Sequence, residues 1–282
     1  MNLVSIVLPT FNGSRYIEEA IESCLNQTHQ NIELIIVDDA STDGVSDIIK
    51  NCKERDSRII SVCHTENKKL PAALNSGFAI AKGNYLTWTS DDNMYKSDAI
   101  EIMLTHLHKD EETAFVFSDF ESIGEDGNVL EYLRRGPTYE LPIVNTIGAC
   151  FLYRREVYEA IGNFDSSKFL VEDWDYWLRV YTAFKLCHIP RSLYYYRTHD
   201  ESLTVKRFKQ QQEMSLSLVL ENNMRHKSLI PDDIRLRAYL KGVRMAKNCD
   251  MQSAARECME KALEISPDAY HYTSDELLDY VR

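Results

Sequence analysis

"VSIVLPTFNGSRYIEEAIESCLNQT", residues 4–28, passes from an unbroken apolar run at 4–8, ended by Pro9, through a polar turn closed by Gly13 into paired apolar residues. The pairs Tyr16/Ile17, Ala20/Ile21 and Cys24/Leu25 recur every four residues, the spacing of one helix face. The stretch reads as strand, loop, helix. The same order returns at once: residues 34–37 form a second β-rich run, "DDASTDG" a loop, and Val45, Ile48, Ile49 and Cys52 one face of a second helix. Residues 59–63 give a third strand. "LPAALNSGFAIAKG", residues 70–83, has helix-forming composition and is expected to stop on Gly83 in a left-handed turn. Residues 85–89 make a fourth strand.

Strands and helices alternating at this spacing predict an α/β fold with a Rossmann-like, mostly parallel sheet covered on both faces. Ligands of such sheets collect beyond the carboxyl ends of the strands. The loops at 9–13, 38–44 and 90–95 are therefore expected to face one crevice. From Ala114 the order changes: "AFVFSD" reads as a strand, "GEDGN" as a hairpin turn, and "GACFLYRREVYEAIGNF" as strand, helix and a stop at Gly162. This half is expected to be mixed α and β. Beyond about residue 206 strand signals vanish, and 209–225, 231–247 and 251–264 read as helices. The expected organisation is a domain over 1–205, divided near 112 into a parallel half and a mixed half, followed by an all-helical extension over 206–282. Residues 240–269 loosely resemble a single tetratricopeptide-type hairpin, which points to a helical cap with a docking or oligomerisation role.

The 282 residues carry 32 Lys and Arg against 44 Asp and Glu, a formal charge of -12, which disfavours nucleic acid and anionic bilayers as non-specific partners. Seven cysteines are scattered without CxxC spacing, the pattern of buried reduced thiols. No apolar run reaches the roughly 18–20 residues of a membrane span, and no signal-peptide pattern opens the chain, so a cytoplasmic location is expected.

Three acidic pairs mark candidate chemistry. "LTWTSDDNMY", residues 86–95, runs a strand into Asp91 and Asp92; the pair reads either as a solvated turn or as a hard-oxygen site for a divalent cation beside substrate phosphates. Asp38 and Asp39 end the second strand, where they either cap the next helix or accept hydrogen bonds from a base or ribose. Glu172 and Asp173 open an aromatic helix, "VEDWDYWLR"; a carboxylate desolvated by Trp174 and Trp177 can serve as a general base, and an acid at a helix N-terminus also simply complements the dipole. His199 follows an aromatic strand, open to a metal or diphosphate contact or to a structural role. "PTFNG", residues 9–13, offers backbone donors but matches neither Gly-rich phosphate loop.

Taken in order, "VSIVLPTFNGSRYIEEAIESCLNQT", "ELIIVDDASTDG", "LNSGFAIAKGNYLTWTSDDNMY", "GACFLYRREVYEAIGNFD", "VEDWDYWLR" and "YRTHDES" resemble the family 2 glycosyltransferases of GT-A fold, across about residues 3–204. The resemblance implies that Thr10 and Asn12 line the nucleotide pocket, that Asp39 contacts the base, and that Lys69 lies near base or diphosphate. It implies that Asp91 and Asp92 are the DXD-type element, Asp91 toward ribose or sugar and Asp92 the principal metal ligand. Ser90 stands where many relatives have a further aspartate. Asp173 matches the implied catalytic base and His199 a late histidine near the metal or diphosphate. Residues 145–156, "NTIGACFLYRRE", resemble the acceptor-side wall, with Gly148 and Ala149 leaving space, and read equally as a core strand.

The function so implied is metal-dependent (Mn or Mg), inverting transfer of a sugar from a nucleoside-diphosphate sugar to a hydroxyl on a glycan, lipid-linked or protein-linked acceptor. Surface polysaccharide or glycoconjugate synthesis is the implied setting, with peripheral association at the inner face of the membrane. Two other readings stand beside it: a nucleotidyltransferase, which needs a basic loop after the first strand, and a noncatalytic sugar-nucleotide scaffold. Fold alone does not separate inverting from retaining chemistry.

Overall fold

The computed structural model describes residues 2–281. Its first half is built from β1 (Val4–Thr10), α1 (Ile17–Leu25), β2 (Ile32–Asp38), α2 (Val45–Arg55), β3 (Ile59–Cys63), α3 (Leu70–Ile80), β4 (Tyr85–Trp88), β5 (Met94–Tyr95) and α4 (Ala99–Lys109). The mixed half follows as β6 (Thr113–Ile123), β7 (Val129–Leu133), β8 (Phe151–Arg154), α5 (Arg155–Ile161), α6 (Glu172–Tyr181) and β9 (Lys185–Arg197). The tail is helical throughout: α7 (Leu203–Lys206), α8 (Phe208–Arg225), α9 (Asp232–Asn248), α10 (Gln252–Ile265) and α11 (Asp275–Val281).

One sheet runs in the order β3-β2-β1-β4-β8-β6-β9-β5, with β7 beside β6. The pairs β1 with β2, β1 with β4, β2 with β3 and β6 with β9 are parallel. Between them β8 runs antiparallel to both β4 and β6. Two reversals cancel, so β6 and β9 point the same way as the first four strands. Thr10, Asp38, Trp88, Ile123 and Arg197 thus end strands on one edge, the edge where open α/β sheets gather their ligands.

Alternate residues of each strand serve opposite faces. Val7, Ile35, Val37 and Leu86 join Leu74 and Phe78 of α3 and Tyr176 and Trp177 of α6 in one core. Ile6, Leu8, Leu34 and Ile36 join Ile17 and Ile21 of α1, Ile49 of α2 and Met103 and Leu107 of α4 in the other. The tail is fused to the first of these cores through Leu218, Val219, Ile234 and Ala238, and its outer helices enclose a third around Tyr239, Val243, Cys258 and Met259.

Several expectations change in detail. β1 continues past Pro9 to Thr10, because the β4 ladder ends at Val7 opposite Trp88 and the residue without an N–H lies beyond it. The helix α3 ends at Ile80, and Gly83 is no left-handed stop. It is needed because a Cβ there would lie 2.6 Å from the Ser5 backbone nitrogen, whose strand the chain crosses closely. Gly162, by contrast, does end α5 at φ 79°. Helix α4 has no counterpart among the expected elements, although Ile100, Met103, Leu104 and Leu107 carry helical spacing.

Candidate active site

The loops after β1 and β2 are stitched together side chain to backbone. Asn12, at φ 58°, donates its N–H to Ser41 Oγ at 2.9 Å and accepts from the Thr42 N–H at 2.8 Å, while the Ser14 N–H bonds Asp43 Oδ2 at 2.8 Å. Asp38 faces inward to the same loop, accepting from the Ser41 N–H and from Ser46. Phe11 stands half exposed at the rim of this crevice.

Asp91 lies under the first loop. Thr10 Oγ1 donates to its Oδ2 at 2.5 Å, and a Cβ on Gly13 would fall 2.0 Å from the same oxygen, so only glycine lets the loop pass over the carboxylate. Burial, then repulsion from Asp92, pushes the Asp91 carboxyl up to about 7. Asp92 accepts from His199 Nε2 at 3.0 Å. Its Oδ1 and the His199 Nδ1 are buried without a protein partner. A carboxylate oxygen kept from water and offered no N–H is a donor set suited to a cation. Among the described residues no third His, Cys, Asp or Glu completes a ligand set around them.

Arg197 sets this corner from behind. It donates Nε to the Asp92 carbonyl at 3.0 Å, pairs with Glu19 at 2.6 Å, and lies over the Tyr16 ring at 4.4 Å; Tyr16 in turn packs 5.3 Å from His199, ring to ring. The end of β9 is thereby locked to α1 and to the acidic loop.

Asp39 is occupied differently. Its Oδ1 takes the His64 ring at 2.6 Å and the Lys68 N–H at 2.9 Å, and its Oδ2 takes the Lys69 N–H at 2.9 Å. His64 passes on to Ser76 Oγ at 2.9 Å. The carboxylate fixes the loop that holds Lys69 at φ 73°, leaving that side chain exposed and without an ion pair among the described residues. Asn75 of α3 ties the same helix to Phe164 by two backbone bonds of 2.9 Å.

Helix α6 opens with Glu172 and Asp173, both raised by burial. Glu172 goes up to about 8, driven by burial and then by Asp173, and its Oε2 has no partner. Asp173 is better served: Asn145 Nδ2 donates at 2.9 Å, the Trp174 N–H at 2.7 Å, and the field of Arg135 opposes protonation. Burial raises both acids, and Asp173 is the one whose charged form is supported by a side-chain amide and by Arg135. Asn145 cannot turn around, because its Oδ1 already accepts the Ile147 and Gly148 N–H groups at 3.2 Å. Gly148 sits at φ 77° against the Phe120 ring, so it serves this turn, and residues 151–154 beyond it are buried core strand. Arg135 donates to the Asn145 carbonyl and is itself placed by its N–H on Asp119 at 2.7 Å.

Beside Asp173 lies a cleft of about 230 Å³, walled on one side by Asn145, Leu170 and Trp174 and on the other by Gln211, Ser215, Lys241 and Met245 of the tail. Burial raises Tyr196, and the charges of both Asp92 and Asp173 act on it in the same direction.

Of the residues singled out in the sequence, Thr10, Asp91, Asp92 and His199 meet at one corner, Asn12 edges the crevice, and Asp39 and Lys69 form its floor loop. Asp173 opens α6 on the wall of the cleft. Asn145, Arg135, Arg197 and Lys241 were missed in the sequence, because they act through contacts distant in the chain, 28 residues for Asn145 with Asp173 and 105 for Arg197 with Asp92. The one local signal was the place of Arg197 two residues before His199.

Residues 5–162 match the model of Glycosyl transferase family 2. A putative teichuronic acid biosynthesis glycosyltransferase of Bacillus subtilis is 35% identical over 151 residues, 52% of this chain and 60% of that protein. The chain spans from 30% to 66% of the length of the curated relatives it matches. In three dimensions it is similar to residues 1–349 of TarS from S. aureus, solved with UDP-GlcNAc, at a TM-score of 0.72 and 15% identity, over 99% of this chain and 87% of that one. It is also similar to the mannosyltransferase PcManGT of Pyrobaculum calidifontis, solved with GDP-Man and Mn2+, at a TM-score of 0.63 and 16% identity, over 98% and 77%. These neighbours share the GT-A fold. A match running from β1 through α5 takes in the parallel strands and the loops at their carboxyl ends, and the chain belongs to glycosyl transferase family 2.

Proposed function

We propose that the protein is a metal-dependent, inverting glycosyltransferase that moves a sugar from a nucleoside-diphosphate sugar to a hydroxyl acceptor in polysaccharide or glycoconjugate synthesis. The observation that carries this is an acid with an orphaned buried oxygen beside a histidine, Asp92, together with a second buried acid, Asp173, steadied by Asn145 on the wall of a cleft. The nucleotide-sugar and manganese named for the structural neighbours support the donor and the cation.

Thr10, Asn12 and the loop pinned by Asp39 present the nucleotide crevice, with Lys69 free to reach phosphate oxygens. Asp92 and His199 are the side chains suited to hold Mn or Mg, which supplies positive charge to the departing diphosphate when bound. Such ions keep several positions for water and substrate phosphates, so two protein ligands suffice. Asp91, its pKa raised by burial and by Asp92 and its Oδ2 held by Thr10, suits a ribose or sugar hydroxyl. The acceptor hydroxyl gives its proton to Asp173 while its oxygen bonds the anomeric carbon; the carbon–oxygen bond to the diphosphate breaks and its electron pair leaves with the nucleotide. Attack opposite the leaving group inverts the anomeric centre. No covalent enzyme intermediate is needed, and positioning supplies much of the rate.

Among the described residues no helix is long and apolar enough to cross a membrane. In this reading the protein works at the cytoplasmic face, reaching a lipid-linked or glycan acceptor from the side. A panel of nucleotide sugars with Mn or Mg, read by nucleoside diphosphate release and by proton NMR of the first-formed product, tests the reading. Release with an inverted anomeric centre is expected; a retained configuration, or no release with any donor and acceptor, overturns it.

A further inference from the structure

We propose that the cleft between Asp173 and the helical tail binds an anionic group of the acceptor, a carboxylate or a phosphate, with Lys241 as its cationic contact. Its place in the reaction rests on the transferase reading above; its chemistry is read from the cleft itself. Lys241 projects from α9 into the space it shares with Asp173, Asn145, Trp174, Gln211 and Ser215.

The ammonium is half-buried, and loss of water lowers its pKa, against a smaller pull from Glu140. Among the described residues it forms no ion pair. Glu140 is taken by Arg237 at 2.6 Å, and the charge that steadies Asp173 is Arg135. Among the described residues no carboxylate forms an ion pair with Lys241, and Glu140 acts on it only at a distance. A desolvated cation without a partner is a cost to the fold, and an anion arriving from solution removes that cost. The remaining lining fits a sugar: amides and a hydroxyl from Gln211, Ser215 and Asn145 for its hydroxyls, and Trp174 with Met245 for its apolar face. A volume of about 230 Å³ is below the roughly 300–1,000 Å³ of pockets that enclose whole drug-sized ligands, which suits one sugar unit of a longer chain. A neutral sugar would bury Lys241 further without compensation. An acidic one gains a charge-assisted hydrogen bond, about twice as strong as a neutral one.

The tail thus gains a specific role, reading the charge of the acceptor while the sheet edge reads the donor. The test uses the full chain and three glycosides of one ring, methyl glucoside, methyl glucuronide and methyl glucoside 6-phosphate, titrated by NMR against wild type, Lys241→Gln and Lys241→Arg. Wild type is expected to bind at least one acidic glycoside about tenfold or more tighter than the neutral one. Whichever acid binds better identifies carboxylate or phosphate. Lys241→Gln is expected to erase the preference and Lys241→Arg to keep it. Equal affinity of wild type for all three glycosides, a measurement that needs no variant, overturns the proposal, as does a preference that survives in Lys241→Gln. If the preference and its loss are seen but no donor is ever turned over, the anion site stands and the transferase reading falls; if transfer occurs while wild type shows no preference, the reverse holds.

Discussion

Asp91-Asp92 and Glu172-Asp173 are the same local object, two adjacent acids at the start of a loop or helix, put to two uses. In each the first residue is pushed up by burial, Asp91 to about 7 and Glu172 to about 8. The difference lies in what the second residue is offered. Asp92 meets one histidine nitrogen and is left with a buried bare oxygen. Asp173 meets an amide and a backbone N–H and lies near a guanidinium. A carboxylate with an unmet lone pair suits a cation, and a carboxylate steadied by donors yet desolvated suits a proton. Neighbours decide the chemistry, and the dipeptide does not.

The comparison breaks most visibly if the second acids are exchanged for neutral residues. Asp173→Asn should lower kcat by about 10²–10⁴, the range for a general base, while nucleotide affinity measured by calorimetry stays near wild type. Asp92→Ala should instead abolish the metal dependence of nucleotide binding. Full transfer activity in either variant would remove the assignment. A smaller effect is expected from Asn145→Ala, which strips one donor from Asp173: a kcat loss of about tenfold, with the acid limb of the pH–rate profile displaced upward because the base has lost a hydrogen bond that favours its charged form. A kcat loss with an unmoved profile would make Asn145 merely structural.

Gly13→Ala touches only the donor pair. The added methyl meets the Asp91 carboxylate, so nucleotide affinity should fall and the fold should lose about 1–3 kcal/mol, the usual cost of overpacking. Unchanged nucleotide affinity would free the loop from its role over Asp91.

The gentlest test is pH. A carboxyl raised in the folded state binds its proton more readily folded than unfolded, so its stabilising effect is full at low pH and is lost as pH rises through the folded value. For Asp91 and Glu172 that loss falls between about pH 4 and 8. The melting temperature of metal-free protein should drop over this window by on the order of a few degrees. Glu172→Gln should flatten part of the slope and added Mn another part, each acting on its own pair. A melting temperature that rises from pH 5 to 8 would contradict both.

Much of this was legible in the residues. Unbroken apolar runs and four-residue pairs gave the parallel half, and acids at strand ends gave Asp91, Asp92 and Asp173. The antiparallel insertion of β8 was not readable, because pairing between Tyr85 and Arg154 leaves no local mark. His199 was singled out in the sequence, but its bond to Asp92, 107 residues away, was not readable, and neither was Asn145, 28 residues from Asp173. Lys241 is an ordinary surface lysine of an amphipathic helix until α9 docks. Gly83 misled because a glycine after a helix suggests a stop, and here it answers a steric demand from Ser5.

The stitching of the first two crevice loops has a thermodynamic consequence for the donor. Asn12 and Ser14 hold residues 41–43 through bonds between backbone N–H groups and side-chain oxygens that belong to the fold itself, so much of that backbone's freedom is surrendered during folding and need not be surrendered again on binding. Nucleotide capture at this edge should then resemble docking onto a finished surface, with fast association and little rearrangement, leaving any slow ordering step to the acceptor.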